Sequence, residues 1–564
     1  MMYSQTGDLW WKNAVLYCAD VQTFADSNGD GQGDLRGMTE RIEYLADLGV
    51  TCLWLMPLYP TANRDDGYDI TDFFGVDPRL GSHGDFVELV RTARSAGLRV
   101  IVDFVMNHTS DQHPWFRSAC RSTEDPFRDY YVWSPTKPRS SRKEVVFPDA
   151  EDSIWELDER TGEWYLHHFY KTQPDLNVAN PAVQEEIAKT LGFWLQLGVS
   201  GFRVDAVPFL FARDSVPGVD DAEAFNPDRY LGDVRSFVTR RVGEAMLLGE
   251  VNLPYEEQKR FFGGADGDGL NMQFDFIGMQ RLYLSLARAD ATPLADALRE
   301  RPALDVTSQW ANFVRNHDEL TLDKLSKRER TEVFDAFGPE PEMQLYDRGL
   351  RRRLPTMLGG DERRIRLVYS LMFSLPGTPV LFYGEEIGMG ENLDIEGRLS
   401  VRTPMQWSAA SNGGFSTAPA AKLVRPLPEG LYSPDHVNAL DQRRDPDSLW
   451  NHMRRLIRIY RQMPQIGWST VEVLDHDQPS VLAHVCHCDS WRMVALHNLG
   501  PDTCTVTLSL DDVPEGAVLR DALGHGPASD EDVPVVSGTP VELRVEGYAG
   551  RWLRLLGPGE ECYL

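Results

Sequence analysis

Two opposite charges interrupt an apolar segment near the middle of the chain. The segment GFRVDAVP spans residues 201–208, and its charged members are Arg203 and Asp205. Side chains alternate between the two faces of a β-strand, so these two charges point to the same face. Because an isolated carboxylate is costly to bury, the pattern predicts an ion pair or a carboxylate with a chemical role.

Other polar and charged residues end further strand-like segments. Asn107-His108 end the segment 98–108, Glu250 lies within 246–252, and His317-Asp318 lie within 310–319. Two histidines, three carboxylates and one arginine brought together would form a poor hydrophobic core, because their charges need pairing and hydration. Their convergence at one mouth therefore favours a functional site over a structural one.

The elements that must position these residues alternate along the chain. Amphipathic segments at 38–49, 86–97 and 183–198 have helical periodicity, and each ends in Gly, which is typical of a helix C-terminus. Eight strand-like segments lie at 14–24, 51–60, 98–108, 199–207, 246–252, 270–276, 310–319 and 378–388. This alternation predicts an α/β fold, a (β/α)8 TIM barrel, whose functional residues gather at the C-terminal ends of the strands.

Two regions depart from the alternation. Residues 109–174 are polar and rich in Pro, Trp and Tyr, which indicates an insertion after the third strand. From about residue 468 onward, short β-type segments replace the helical patterns and predict a sandwich. We therefore expect barrel domain A at residues 1–108 and 175–467, insertion domain B at 109–174, and a C-terminal all-β sandwich domain C at 468–564.

Composition limits the classes of partner. The chain has 564 residues, of which 42% are hydrophobic and 25% are charged, as in ordinary globular proteins. Its 57 basic and 86 acidic residues give a formal net charge of −29, which repels nucleic acids and anionic membrane surfaces. No apolar run reaches the roughly 20 residues of a membrane-spanning helix. We expect neither a nucleic-acid nor a membrane partner, whereas a neutral substrate and a bound cation are compatible with this charge.

The cysteines point to a reducing compartment. Seven cysteines are spread from Cys18 to Cys562 without the spacing of a disulfide framework, and no signal peptide is visible, so we expect a cytoplasmic protein. The segment 484–488 (HVCHC) lacks a second half at zinc-finger spacing and is interpreted as a strand. The state of assembly stays open, and a homo-oligomer is compatible with the sequence.

Four motifs resemble those of glycoside hydrolase family 13, the α-amylase superfamily of retaining enzymes acting on α-glucosides. They are DFVMNH at 103–108, GFRVDA at 201–206, GEVN at 249–252 and FVRNHD at 313–318, in the order and spacing of that family. The resemblance covers essentially the whole chain. It extends to QPDLN at 173–177 and VRTPMQW at 401–407, which resemble the branch acting on short oligosaccharides.

The resemblance implies catalytic roles for three carboxylates. Asp205 is expected to be the nucleophile that forms a covalent glucosyl-enzyme, with Arg203 keeping it ionised. Glu250 is expected to act first as general acid and then as general base, and Asp318 to bind sugar hydroxyls in the transition state. If configuration is retained, the Asp205 and Glu250 carboxyl groups should lie roughly 5–5.5 Å apart.

It also implies a set of substrate contacts and a small α-glucoside as the substrate. The expected contacts are Asp65 and Tyr68 in the motif DDGYD, then His108, Arg203, His317 and Arg402. Asp65 would hold a hydroxyl group, whereas Tyr68 would be a stacking platform for the sugar ring; a packed loop aromatic is the alternative for Tyr68.

The segment DSNGDGQGD at 26–34 is spaced like the beginning of a calcium loop. Residue 37 is Gly where an EF-hand would have Glu, so the segment is not an EF-hand; it resembles the calcium loop of the oligosaccharide branch. The expected ligands are Asp26, Asn28, Asp30, Gln32 through its carbonyl group, and Asp34. Calcium would be structural, and the alternative is an Asp/Gly turn without metal.

Within this branch the closest resemblance is to trehalose synthases, which interconvert maltose and trehalose by intramolecular glucosyl transfer. The segments 212–227 and 250–255 depart from that group and are expected to shape the acceptor side of the pocket. An α-glucosidase or transglucosidase therefore remains an alternative. A non-catalytic scaffold, like the heavy chains of amino-acid transporters, is disfavoured because all three acids are present.

Overall fold

Eight parallel strands close into a barrel in the computed structural model, which describes residues 9–139, 144–210, 226–264, 267–524 and 532–560. The strands are β1 (Leu16–Ala19), β2 (Cys52–Leu55), β3 (Arg99–Phe104), β4 (Gly201–Val204), β5 (Met246–Gly249), β6 (Met272–Phe274), β7 (Gln309–Phe313) and β8 (Thr378–Phe382). Each pairs with its neighbours in chain order, and Leu16 pairs with both Cys52 of β2 and Val380 of β8. The predicted TIM barrel is confirmed.

The barrel strands are short and apolar because both of their faces are covered. All four residues of β1, β2, β4 and β5 are buried. The predicted segments are longer than the strands: β7 ends at Phe313, so Arg315, His317 and Asp318 belong to the loop that follows it. These charged residues follow the last residue that is hydrogen-bonded within the sheet, and they lie at the mouth of the barrel.

Helices form the outer layer between consecutive strands. The principal ones are Leu35–Glu40, Ile42–Leu48, His83–Ser95, Pro181–Gln196, Pro227–Arg241, Tyr255–Phe261, Phe276–Arg288, Thr292–Glu300, Lys327–Phe337, Glu362–Ser374 and Leu449–Gln462. The first predicted helix is divided at Arg41 and ends at Gly49, whose φ of 102° is the left-handed conformation expected of a C-terminal glycine. None of the helices in the described ranges is long and apolar enough to cross a bilayer.

The region between β3 and the next barrel helix forms a small layer over the barrel mouth. It contains the helix Pro114–Ala119 and an antiparallel sheet of the strands Trp133–Ser134, Glu163–Leu166 and Trp155–Asp158, in that order. The bridge between His108 and Asp175 brings the end of the insertion back to its beginning. Residues on both sides of the insertion therefore reach the barrel mouth.

The C-terminal region is all-β, as predicted. Its six-stranded sheet contains Thr470–Val473, Val481–Cys488, Trp491–Asn498, Gly550–Leu556, Val518–Asp521 and Val533–Pro534, in spatial order. A second sheet pairs Cys504–Leu508 with Val541–Val545, and the two enclose a separate apolar cluster. The six cysteines in the described part of the chain are all unpaired, and Cys562 lies outside it.

Candidate active site

One arginine links three carboxylates at the C-terminal ends of β3, β4 and β5. Arg203 Nη1 donates to Asp103 Oδ1 at 2.6 Å and to Asp205 Oδ1 at 2.5 Å, and its Nη2 donates to Glu250 Oε2 at 2.8 Å. The arginine side chain is only 1% exposed. The predicted Arg203–Asp205 contact is therefore present, and it extends to a third strand.

Backbone geometry brings these strands and their carboxylates together. A side chain at Gly201 would place its Cβ 2.1 Å from the carbonyl oxygen of Met246, so only glycine allows β4 and β5 to pack this closely. Ala206, directly after Asp205, has a φ of 50°, and its N–H donates to Glu250 Oε2 at 3.3 Å. This turn places the backbone that follows Asp205 against Glu250.

The pKa values of the two facing carboxyl groups are both raised, with the larger value at Glu250. Burial raises the pKa of Asp205 to about 6, although Arg203 opposes the shift. Burial also raises the pKa of Glu250 to about 7, again against Arg203, with Asp205 adding to the increase. Near neutral pH the first carboxyl group is mostly ionised while the second retains a proton for part of the time, which suits a nucleophile beside a general acid.

The third carboxylate is held differently. Asp318 Oδ1 accepts from Arg398 Nη1 at 2.7 Å and from Arg402 Nη2 at 3.0 Å. Burial alone would raise the pKa of Asp318, but a hydrogen bond with His317 and the charges of Arg398 and Arg402 outweigh burial and hold that pKa well below its ordinary value. Asp318 is therefore ionised across the neutral range and suits binding rather than proton transfer.

His317 is buried behind this carboxylate. Its ring stacks on Tyr68, with ring centroids 5.6 Å apart and planes 9° from parallel, and its Nε2 lies 2.6 Å from the Tyr68 hydroxyl. Nε2 also lies 3.2 Å from Asp318 Oδ2. Burial lowers the pKa of His317 to about 4, so the ring is neutral at pH 7 and can share hydrogen bonds without adding a charge.

These residues border a cavity of about 620 Å³, within the size range of small-molecule sites. Six of the nine predicted catalytic and substrate-binding residues line it: Asp65, Tyr68, His108, Asp205, Glu250 and Asp318. The other three, Arg203, His317 and Arg402, lie behind the lining, and each is at most 1% exposed. These three residues hydrogen-bond residues at the cavity rather than border it, and their predicted contacts with substrate stay a prediction.

Arg398 does border the cavity, as do Arg139 and Arg348. It donates to both Asp65 and Asp318, joining the loops after β2, β7 and β8. Arg402 also donates to Asp318, but its other bonds go to Asp66 at 2.6 Å and to the carbonyl oxygen of His317 at 2.8 Å. Sequence reasoning missed Arg398, although its position four residues before Arg402 was a usable signal.

Two more residues escaped the sequence analysis although both lie in quoted motifs. Asp103 is fully buried and pairs in register with Arg203; its Oδ2 also accepts from Trp54 Nε1 at 2.8 Å. Gln173 donates to Asp65 Oδ2 at 2.9 Å, and its Nε2 lies 3.2 Å from His108 Nε2. The alternation of side chains on β3 and the polar residue opening QPDLN were the available signals.

The insertion between β3 and the helix Pro181–Gln196 supplies part of the cover of the cavity. Phe147 and Phe169 line it from the insertion, and Phe209 from the segment after β4. Arg348 fastens this cover, since its Nη1 donates to the carbonyl oxygen of Val146 at 2.7 Å and its Nη2 to Glu319 Oε1 at 3.1 Å. These aromatic rings face the same cavity as the three carboxylates.

Two segments, 212–227 and 250–255, are predicted to shape the acceptor side of the cavity. Residues 212–225 of the predicted segment 212–227 lie outside the described residues. In the segment 250–255, Asn252 and Leu253 line the cavity, and Asn252 Nδ2 donates to Asp323 Oδ1 at 3.0 Å. A polar surface therefore faces the carboxylates from this side.

The predicted calcium loop is folded around its own hydrogen bonds. Asp26 accepts from the N–H groups of Asn28, Gly29 and Gly31, and Asp34 accepts from the N–H and hydroxyl groups of Ser27. In the described ranges, no three His, Cys, Asp or Glu side chains converge as a metal site. The loop carboxylates are satisfied by the protein itself, so calcium stays a prediction and no chemical step is assigned to it.

The sequence of this chain matches a known protein family. The family described as alpha amylase, catalytic domain, matches residues 21–334 and 348–492. The chain belongs to the α-amylase family. The predicted family and the predicted enzyme class, glycoside hydrolase or transglucosidase, are thereby confirmed, and the non-catalytic alternative is set aside.

Relatives in this family are similar over most of the chain. A trehalose synthase of Thermus thermophilus is 41% identical over 89% of this chain, which spans only about half (52%) of that relative. Trehalose synthase/amylase TreS of Mycobacterium tuberculosis is 38% identical over 97% of this chain and 90% of its own length. The solved structure of inactive MutB with isomaltulose has a TM-score of 0.74 at 26% identity and covers 97% of this chain and 99% of MutB.

Proposed function

We propose that this α-amylase family member is a retaining enzyme that transfers glucose within a small α-glucoside, interconverting maltose and trehalose. The observation that carries the proposal is the single guanidinium of Arg203 holding Asp205 and Glu250 at one cavity, with the higher pKa at Glu250. The high similarity to proteins named trehalose synthase supports the specific reaction.

In the proposed first step, the Asp205 carboxylate attacks the anomeric carbon of the bound glucosyl unit. The bond from that carbon to the glycosidic oxygen breaks, and this oxygen takes the proton of Glu250 as the second sugar leaves. In the second step, Glu250 removes a proton from the anomeric hydroxyl of the retained glucose, whose oxygen then displaces Asp205. Each step exchanges one carbon–oxygen bond for another, so the reaction needs no oxidant.

Arg398 closes one side of the cavity, which supports the proposal that the substrate is short. Its ion pairs with Asp65 and Asp318 tie three loops together beside the sugar-binding carboxylate. We infer that a single terminal glucose fits there, with its hydroxyl groups accepting from Arg398 and donating to the two carboxylates. A long glucan would have to displace these buried ion pairs.

Retention of the released sugar separates an isomerase from a hydrolase. The cover formed by Phe147 and Phe169, fastened by Arg348, supports isomerisation because it excludes water and can hold glucose between the two steps. The polar side formed by Asn252 and Asp323 favours the alternative, since such groups can position water or another acceptor. We therefore keep α-glucosidase or transglucosidase activity as the second candidate.

Proton NMR of the enzyme with maltose tests the choice. The expected result is the anomeric signal of trehalose growing with little free glucose, and no ¹³C enrichment of trehalose when ¹³C-glucose is added. Glucose as the main product would establish the hydrolase, and labelled trehalose would show an exchangeable acceptor. Unchanged maltose in the wild type, with an Asp205→Asn variant behaving identically, would exclude the proposal.

A second experiment tests the covalent step itself. In Glu250→Gln, α-glucosyl fluoride needs no proton to lose fluoride, so Asp205 should still react while the return step is stalled. Mass spectrometry is expected to find one glucosyl group on the peptide containing Asp205. Double variants that also carry Asp205→Asn should show none, and an unmodified protein in the single variant would contradict the retaining mechanism.

The unpaired state of the described cysteines supports the proposal of a cytoplasmic location.

A further inference from the structure

A second buried arginine joins three loops behind the cavity. Arg425 lies in the segment after β8, is 6% exposed and does not border the cavity. Its Nη1 donates to Asp20 Oδ2 at 3.1 Å and to the carbonyl oxygen of Arg402 at 2.9 Å, while its Nη2 donates to Asp66. One guanidinium therefore connects the loop after β1, the loop after β2 and the segment after β8.

Two routes lead from Arg425 to residues that border the cavity. The first is covalent, because Asp66 directly follows Asp65. The second passes through Arg402, which donates to Asp66 Oδ2 at 2.6 Å and to Asp318 Oδ1 at 3.0 Å. Both routes end on carboxylates that Arg398 also binds.

The backbone at Asp66 shows that this position is held under constraint. Its φ of 51° lies in the left-handed region, which is unfavourable for a residue other than glycine. Its carboxylate is fully engaged, since Arg402 binds Oδ2 while Arg425 and Gln22 bind Oδ1. The two guanidinium groups hold the pKa of Asp66 well below its ordinary value despite burial, so the carboxylate remains ionised.

We propose that Arg425 is a positioning residue for the active site, acting through Asp66 and Arg402 on Asp65 and Asp318. Without Arg425, the buried carboxylates of Asp20 and Asp66 would share Arg402 as their remaining cation. Arg402 would then be drawn away from Asp318, and the turn at Asp66 would lose one of its two clamps. The groups that face Arg425 are Asp20, Asp66, Arg402 and Tyr383.

The test compares Arg425→Met with Arg425→Lys, using p-nitrophenyl α-glucoside. The inference rests on the proposed function, and wild-type inactivity on both this glucoside and maltose would count against that function instead. We expect Arg425→Met to lower kcat about 10- to 100-fold with little change in KM, because misplaced groups lose the reactive geometry. Lysine keeps the positive charge but lacks the two Nη donors of the guanidinium group, so Arg425→Lys should retain more activity than Arg425→Met.

The pH profile separates positioning from mere stability. The acid limb of kcat/KM follows the ionisation of Asp205, whose pKa is raised by burial and also by the negative charge of Asp318. If Arg402 is drawn away from Asp318, that charge is less compensated, so the acid limb should move upward by about half a pH unit or more in Arg425→Met. Arg551→Met is the matched control, since Arg551 donates to Asp521 at 2.9 Å within the C-terminal sheet; it should leave kcat and the pH profile unchanged.

An Arg425→Met enzyme with wild-type kcat and pH profile, whatever its melting temperature, would overturn the inference. Should this variant not fold, the charge-matched pair Asp20→Asn with Arg425→Gln decides in its place. Lowered kcat in a folded double variant supports positioning, and wild-type kcat overturns it.

Discussion

Stacked, buried aromatic rings that include histidine occur in two regions of the described structure. At the barrel mouth, His317 stacks on Tyr68 beside Asp318. Between the barrel and the C-terminal sheet, His484 and His497 stack with ring centroids 6.2 Å apart and planes 9° from parallel. Burial lowers the pKa of all three histidines, to about 4 for His317 and for His484.

The surroundings of the two regions differ. His484 and His497 contact Ser374 and Ser370 of the barrel helix Glu362–Ser374, and no carboxylate is hydrogen-bonded to either ring in the described structure. His317 instead joins a network of arginines and carboxylates that borders a cavity. The lowered pKa of these histidines therefore reflects burial in both regions. What distinguishes the active site is the convergence of carboxylates on a cavity.

The largest effect is expected from removing the proton donor at the mouth. Glu250→Gln should lower kcat/KM for maltose by about 10²–10⁴, the usual contribution of a general acid or base. His484→Gln, in the other region, should leave kcat/KM unchanged once folding is verified by circular dichroism. Steady-state kinetics would contradict the comparison if both variants lost activity equally.

Removing the central cation of the mouth should affect stability as well. Arg203→Met leaves Asp103, Asp205 and Glu250 without their shared partner, and breaking a buried ion pair costs about 3–5 kcal/mol. Denaturant unfolding should show this loss together with loss of activity. The surface pair Arg36–Asp85 offers the control, since Arg36→Met should leave the unfolding midpoint unchanged.

The interface histidines should make stability sensitive to acid. The pKa of His484 is about 4 in the folded protein, below its ordinary value of 6.5, so the unfolded chain binds more protons between these values. As the pH falls from 6.5 to about 4, the free energy of unfolding should decrease by about 1.4 kcal/mol per pH unit for this histidine.

His484→Gln should therefore flatten the dependence of melting temperature on pH. The half-exposed His487 of the same strand, paired with Glu472, provides the control variant His487→Gln, which should retain the wild-type dependence. Identical pH profiles for all three proteins would show that the interface histidines do not control acid stability.

The pH dependence of activity should be set by the carboxyl groups at the barrel mouth rather than by the interface histidines. Asp205 must be ionised, which requires a pH above its pKa of about 6, and Glu250 must be protonated, which requires a pH below its pKa of about 7. We expect kcat/KM to be bell-shaped with its maximum between these values, the two limbs belonging to the coupled pair. A broad plateau extending over several pH units would contradict these raised pKa values.

The smallest effect is expected at the loop 26–34. If calcium binds there, a concentration about a hundred times its Kd should stabilise the fold by about 2.7 kcal/mol, seen as a higher melting temperature than in EDTA. Asp30→Ala should remove the difference, because the exposed Asp30 is one of the predicted ligands. Equal melting temperatures in calcium and EDTA, with no heat of binding, would leave an Asp/Gly turn without metal.

The amino-acid sequence alone was enough to predict the barrel, the all-β C-terminal region and three carboxylates that follow barrel strands. Apolar strand segments alternating with amphipathic helices allow few folds, and the pattern of Arg203 and Asp205 on one strand face follows from the two-residue period of a strand. The family motifs then identified which carboxylates belong to the site. Each strand, helix and motif is recognised from residues that are close together in the chain.

Tertiary structure alone decided which arginines border the cavity. Arg398 and Arg402 are four residues apart and chemically identical, yet Arg398 joins Asp65 to Asp318 at the cavity while Arg402 is fully buried against Asp66. The same holds for Arg425, whose partners come from the loops after β1 and β2. Long charged side chains take the position in which their buried partners neutralise them, and those partners are distant in sequence.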